Sequence, residues 1–209
     1  MAAPALRPDP LTHDEFLALE AASDERHELY EGAMYAMAGG TPTHGALGPR
    51  VAFLLGGQLE ARGCGCVTYG SDVRVCPEAG ESMYPDLTIA CPPFEASPHD
   101  PHAIANPVVL VEVLSPSTAG WDMGGKFELF RRFASLRHVL YVSSDAWHVH
   151  HRERIADGTW RYTDHGAGAV IELTALGARL EVDALYAPLL AQGGPPRDAV
   201  PVFARPRPG

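Results

Sequence analysis

Apolar residues fill Val108-Val-Leu-Val-Glu-Val-Leu114 at every position but one. A run apolar on successive residues fits a strand in mid-sheet, covered by helices on both faces. Shorter strand-like runs precede it at Cys66–Val75, breaking near Gly70, and at Tyr84–Cys91, which lies across Pro85. Val139–Val142 follows it, and Trp147–Arg152, Thr159–Tyr162 and Val170–Leu173 predict a meander of short strands. Helical spacing governs three other stretches. Thr12 with Glu15 is a capping box that opens a helix through about Ala21. His44–Arg62 carries Leu47, Val51, Leu54, Leu55 and Leu59 on one side, with Gly63 as its stop. Asp122–Ala134 predicts a helix after the central strand, and apolar alternation around Glu31-Gly32 predicts a β-hairpin over Glu28–Met37. The order helix, strands, helix, strand gives an α/β fold with a mixed central sheet flanked by helices and with additional C-terminal strands.

The 209 residues suit one sizeable domain. The expected division is a flexible arm at 1–10, a single domain over 11–190 and a Pro/Gly-rich tail at 191–209. With 46% hydrophobic and 20% charged residues the composition is that of a folded globular chain. No stretch approaches the roughly 20 apolar residues that span a bilayer, so no membrane is expected. The N-terminal stretch, broken by Pro4, Pro8 and Pro10, has no signal-peptide core, and the cytoplasm is the expected compartment. Cys64, Cys66, Cys76 and Cys91 are expected to be free thiols, since the Cys64-Gly-Cys66 spacing is too short for the usual zinc or redox motifs. The net charge of −10 counts against a strong standing affinity for nucleic acid, though a bound cation would offset part of it.

Glu112 is the exception in the central run. An ionised carboxylate in a buried strand costs several kcal/mol unless a cation or donors meet it. Strand parity sends Leu110, Glu112 and Leu114 to one face and Val109, Val111 and Val113 to the other. Asp86, after Pro85, marks where the preceding strand enters the sheet. Two carboxylates on neighbouring strands, facing the same way, suit Mg²⁺ or Mn²⁺. Lys126 shares a helix face with Leu129, Phe130 and Phe133, so it points inward toward the acids. Each residue also has an ordinary reading: a Glu112–Lys126 ion pair, a turn cap at Asp86, a helix-surface lysine.

Tyr84-Pro-Asp86, Glu112-Val-Leu-Ser-Pro-Ser-Thr118 and Asp122-Met-Gly-Gly-Lys126, with Ser23–Met37 and Ser71-Asp-Val-Arg-Val75, resemble the Uma-type restriction endonuclease family of the PD-(D/E)XK nuclease superfamily. The likeness runs from about Leu11 to Tyr186. It implies a restriction-endonuclease-like core and Mg²⁺- or Mn²⁺-dependent hydrolysis of phosphodiester bonds in DNA. Asp86, Glu112 and Lys126 become the catalytic set, with Asp86, Glu112 and the Val113 carbonyl as metal ligands. The superfamily lysine would fall at Leu114, and Lys126 takes its place from the next helix. Glu28, Glu31 and His44 are accessory candidates. Asp72 and Asp122 match family positions but read as a turn residue and a helix N-cap. His148 and His150 share a strand face with no carboxylate alternating beside them, which reads as a solvated face. A homodimer is expected of an enzyme cutting both strands. The alternative is a catalytically silent homodimeric binding module that keeps the nuclease fold.

Overall fold

The computed structural model describes residues 10–37, 39–77 and 80–201. The expected arm, Pro10 apart, lies outside these, as does the tail after Pro201. Along the chain run α1 (His13–Ala21), β1 (His27–Tyr30), β2 (Ala33–Ala36), α2 (Pro42–Arg62), β3 (Val67–Gly70), β4 (Leu87–Ala90) and β5 (Pro107–Leu114). Then follow α3 (Ala119–Asp122), α4 (Gly125–Phe130), β6 (His138–Ser143), β7 (His148–Arg154), β8 (Trp160–Gly166), β9 (Val170–Leu173), β10 (Ala178–Glu181), α5 (Val182–Tyr186) and a 3₁₀ turn, Ala187–Gln192.

Six strands form one mixed sheet in the order β3-β4-β5-β6-β7-β8. Only β5 and β6 run parallel, and α3 and α4 lie in the crossover such a pair requires. The predicted parity of β5 holds. Val109, Val111 and Val113 pack with Leu47, Val51, Leu55 and Leu59 of α2, while Leu110 and Leu114 pack with Leu129, Phe130 and Phe133. The termini of α1 and α2 obey local chemistry. Thr12 and Glu15 form the reciprocal capping box, Thr41 caps α2, and Gly63 ends it in the left-handed region at φ 62°.

Several expectations need correction. The helix predicted over Asp122–Ala134 is two short ones, because Gly124 leaves helical geometry (φ −107°, ψ −98°) and the Trp121 ring lies over Gly125, where a Cβ would come within 2.2 Å of it. Asp122 is therefore not an N-cap but the buried last residue of α3. The cysteines are not all free: Cys66 and Cys91, one step beyond the Val67–Ala90 pair, form a disulfide. Cys64 is an exposed thiol and Cys76 a buried one, pushed up to about 11 by burial. The meander holds for β6–β7–β8, but β9 pairs with β10 as a separate hairpin. The expected tail begins inside the 3₁₀ turn, and Trp147 Nε1 donates to the Pro195 carbonyl at 2.8 Å, tying the chain back as far as that residue. None of the described helices is long and apolar enough to cross a membrane.

Candidate metal and catalytic site

Pairing between β4 and β5 stops at Leu87–Val111, and the next pair in that register is Asp86 opposite Glu112. Glu112 in turn stands opposite Tyr141 of β6. Side chains in one lateral row leave the sheet on the same face, so both carboxylates point to the side of α3 and α4. Where β4 no longer pairs, the Val113 N–H donates to Asp86 Oδ2 at 2.6 Å. Gly48 lets α2 approach: a Cβ there would lie 3.3 Å from the Asp86 carbonyl oxygen.

Lys126 Nζ sits 2.8 Å from Glu28 Oε1 and 2.9 Å from Glu112 Oε1. Glu28 Oε1 also accepts from the Tyr84 N–H at 2.9 Å. His44 Nε2 is 3.9 Å from Asp86 Oδ2. Asp86, Glu112, Lys126, Glu28, His44 and Val113 thus line one cavity. Glu31 is the correction. It occupies the exposed turn of the β1–β2 hairpin at φ 50°, beside Gly32 at φ 73°, and does not line the cavity.

The cavity walls also include Asp122, Trp121 and Tyr35, which sequence reasoning missed as site residues. Asp122 and Lys126 are four residues apart, neighbours on one face of the continuous helix that the sequence predicts, and that spacing was the signal available. Trp121 packs edge-on to Tyr30, with ring centroids 4.7 Å apart, and stacks on Tyr35 at 6.5 Å.

Charge in the cavity is unbalanced. Glu28, Asp86, Glu112 and Asp122 face one lysine. Burial pushes the Glu112 carboxyl well above the usual range; Asp122, Asp86 and Glu28 push the same way and Lys126 opposes. Burial likewise raises Asp122, against the pull of Lys126. Burial alone would lower Lys126, but Glu112, Glu28 and Asp122 outweigh it and hold the group well above its ordinary value, so it stays an ammonium. Glu112 Oε1 touches Lys126 Nζ yet receives no well-directed hydrogen bond and is shut off from solvent. An oxygen-rich donor set with surplus negative charge and a poorly satisfied buried oxygen fits a hard divalent cation such as Mg²⁺ or Mn²⁺.

A second cluster lies on the same face. His148 Nε2 is 3.5 Å from Asp164 Oδ1, and His150 Nδ1 contacts the same oxygen. The expectation of a strand face without a carboxylate fails because the β7–β8 register sets Asp164 directly opposite His150.

Residues 13–184 match the model of the Uma2 family, whose description reads "Putative restriction endonuclease". The chain belongs to the Uma2 family. The Uma2 match spans all four acids of the cavity and its lysine. Two proteins of Synechocystis sp. resemble it. "Uncharacterized protein slr1290" is 32% identical over 177 residues, covering 84% of this chain and 91% of its own length. "Uncharacterized protein sll1609" is 30% identical over 166 residues, covering 78% and 93%. Among solved structures, a "putative nuclease belonging to DUF820" from Anabaena variabilis superposes with a TM-score of 0.69 at 15% identity, over 85% of this Uma2 chain and 98% of that one. At that identity the likeness speaks for the fold.

Proposed function

We propose that this Uma2 chain is a Mg²⁺-dependent endonuclease that hydrolyses phosphodiester bonds of DNA. The observation that carries the reading is the lateral Asp86–Glu112 row with Lys126 Nζ 2.9 Å from Glu112. Asp86, held by the Val113 N–H, and Glu112 would take the cation, with the Val113 carbonyl as a third oxygen ligand. A divalent ion bound there supplies a Lewis acid and a water of lowered pKa. Lys126 fixes Glu112 and Glu28 and offers its ammonium to charge developing on the phosphate. Glu28 orients Lys126, and His44 stands at the cavity beside Asp86, within reach of a bridging water. A homodimer, one site per strand, is the assembly that double-strand cleavage asks for.

The test is nicking of supercoiled plasmid with and without Mg²⁺, with linear and single-stranded DNA alongside. The wild type should cut only with the ion, and Asp86→Ala should lower the rate at least about 100-fold. A folded wild type that leaves all three substrates intact would favour the silent binding module. That second reading draws on the net charge of −10 and on a lysine already engaged by two carboxylates.

A further inference from the structure

We infer that His148, His150 and Asp164 form a second metal site, separate from the carboxylate cavity, that takes a borderline first-row divalent cation of the Zn²⁺ class. Strand parity puts the two histidines of β7 on one face, and the register adds Asp164 from the edge strand β8. One donor atom from each residue falls within 4.8 Å of the others. Two ligands about 2.05 Å from a tetrahedral ion are roughly 3.3 Å apart. The 3.5 Å between His148 Nε2 and Asp164 Oδ1 already meets that spacing, and the closer His150–Asp164 contact would open by about 1 Å to admit the ion. The imidazole rings lie 4.5 Å apart, centroid to centroid.

Chemistry separates this site from the first. Two nitrogens and one oxygen select Zn²⁺, Co²⁺ or Ni²⁺ over Mg²⁺, whereas the cavity around Glu112 offers carboxylate oxygen. The histidine side chains are 19% and 15% exposed and the carboxylate 65%, so the outer side opens to solvent and a water can complete the coordination. Position separates them too. Glu112, Tyr141, His150 and Asp164 continue one row across β5, β6, β7 and β8. His150 is two strands from Glu112, roughly 10 Å, too far for the pair of ions about 4 Å apart in two-metal hydrolysis. An ion held by β7 and β8 would instead clip the sheet's edge strand to its neighbour. Because the unfolded chain has no such constellation, binding would stabilise the fold.

The experiment uses the untagged full chain carrying Asp86→Ala, so that ions drawn to the carboxylates are discounted, and it needs no cleavage. Zn²⁺ at a hundredfold excess over Kd should raise the melting temperature by roughly 5–10 °C. Co²⁺ should give the intense ligand-field bands of a tetrahedral site. Adding His150→Gln or Asp164→Asn should weaken both responses at least tenfold while leaving the melting temperature in EDTA near that of the parent. Asp164 is exposed, so Asp164→Asn carries the test if His150→Gln fails to fold. The absence of Co²⁺ bands in the parent, or bands unchanged in the folded variants, would overturn the site and leave a metal-free His–Asp–His hydrogen-bonded chain.

Discussion

Toward α2, β5 presents Val109, Val111 and Val113 to Leu47, Val51 and Leu55, and the polar side chains buried on that side of the sheet, His138 and His151, are held neutral. Toward α4 the same strand presents Glu112 between Leu110 and Leu114, and Glu28, Asp122 and Lys126 gather around it with almost no exposure to water. The first side follows the rule that packing apolar surface stabilises a fold. The second buries three acids and one base where solvation is lost, an arrangement that apolar residues of the same volume would often match or better in stability. A strand that is ordinary on one face and costly on the other marks the costly face as the candidate site.

The contrast is broken most severely at Lys126. Lys126→Ala leaves Glu28 and Glu112 buried without their cation, and should cost about 3–5 kcal/mol in denaturant unfolding. Restoring charge balance with Glu28→Gln and Glu112→Gln in the same chain should recover most of that loss. If Lys126→Ala alone left the denaturation midpoint unchanged, the cluster would be better solvated than its burial implies.

The neutral histidines of the other side give a pH signature. His138 Nε2 accepts from the Ala175 N–H at 3.3 Å, so its proton sits on Nδ1, which donates to His151 Nε2 at 2.9 Å. Burial lowers both imidazoles to about 4. In the unfolded chain they titrate near 6.5. Between those values the unfolded chain binds more protons, so stability is complete above about pH 6.5 and falls as pH drops toward 4. The loss should reach up to roughly 3 kcal/mol per ring, and His138→Gln with His151→Gln should flatten the melting-temperature profile across that window.

Smaller again is Val111→Ala. Opening a cavity against α2 should cost about 2 kcal/mol while leaving metal-dependent cleavage at the wild-type rate. A large fall in cleavage from this change would mean that the two faces are not independent.

Much of this division was legible in the sequence. Glu112 stood out because a charge in an apolar run has to be explained, and two-residue parity assigned its face without any knowledge of neighbours. Lys126 was placed by helical register, although the helix that carries it is broken, because Lys126, Leu129 and Phe130 lie after the break. Asp122 lies before it, as the last residue of a separate short helix, where the sequence pattern points to an N-cap instead. Asp164 was hidden for a related reason. Its partnership with His150 is fixed by strand register, which local pattern does not specify. Glu31 was misjudged in the other direction. A hairpin turn residue with positive φ already has a structural role, and Gly32 beside it carried that signal. The last elements, β10 and α5, are four and five residues long, too short for periodicity to declare, and they are held by burial of Leu180, Val182 and Leu185 against α2.

The most direct test of the central claim is a Mn²⁺ titration followed by water-proton relaxation on wild type, Asp86→Ala and Asp164→Asn. The acid row predicts saturable binding in the wild type, lost or at least tenfold weaker in Asp86→Ala and unaltered in Asp164→Asn. Wild-type and Asp86→Ala isotherms that coincide would contradict it, and Glu112 would then be a buried acid serving only its ion pair with Lys126.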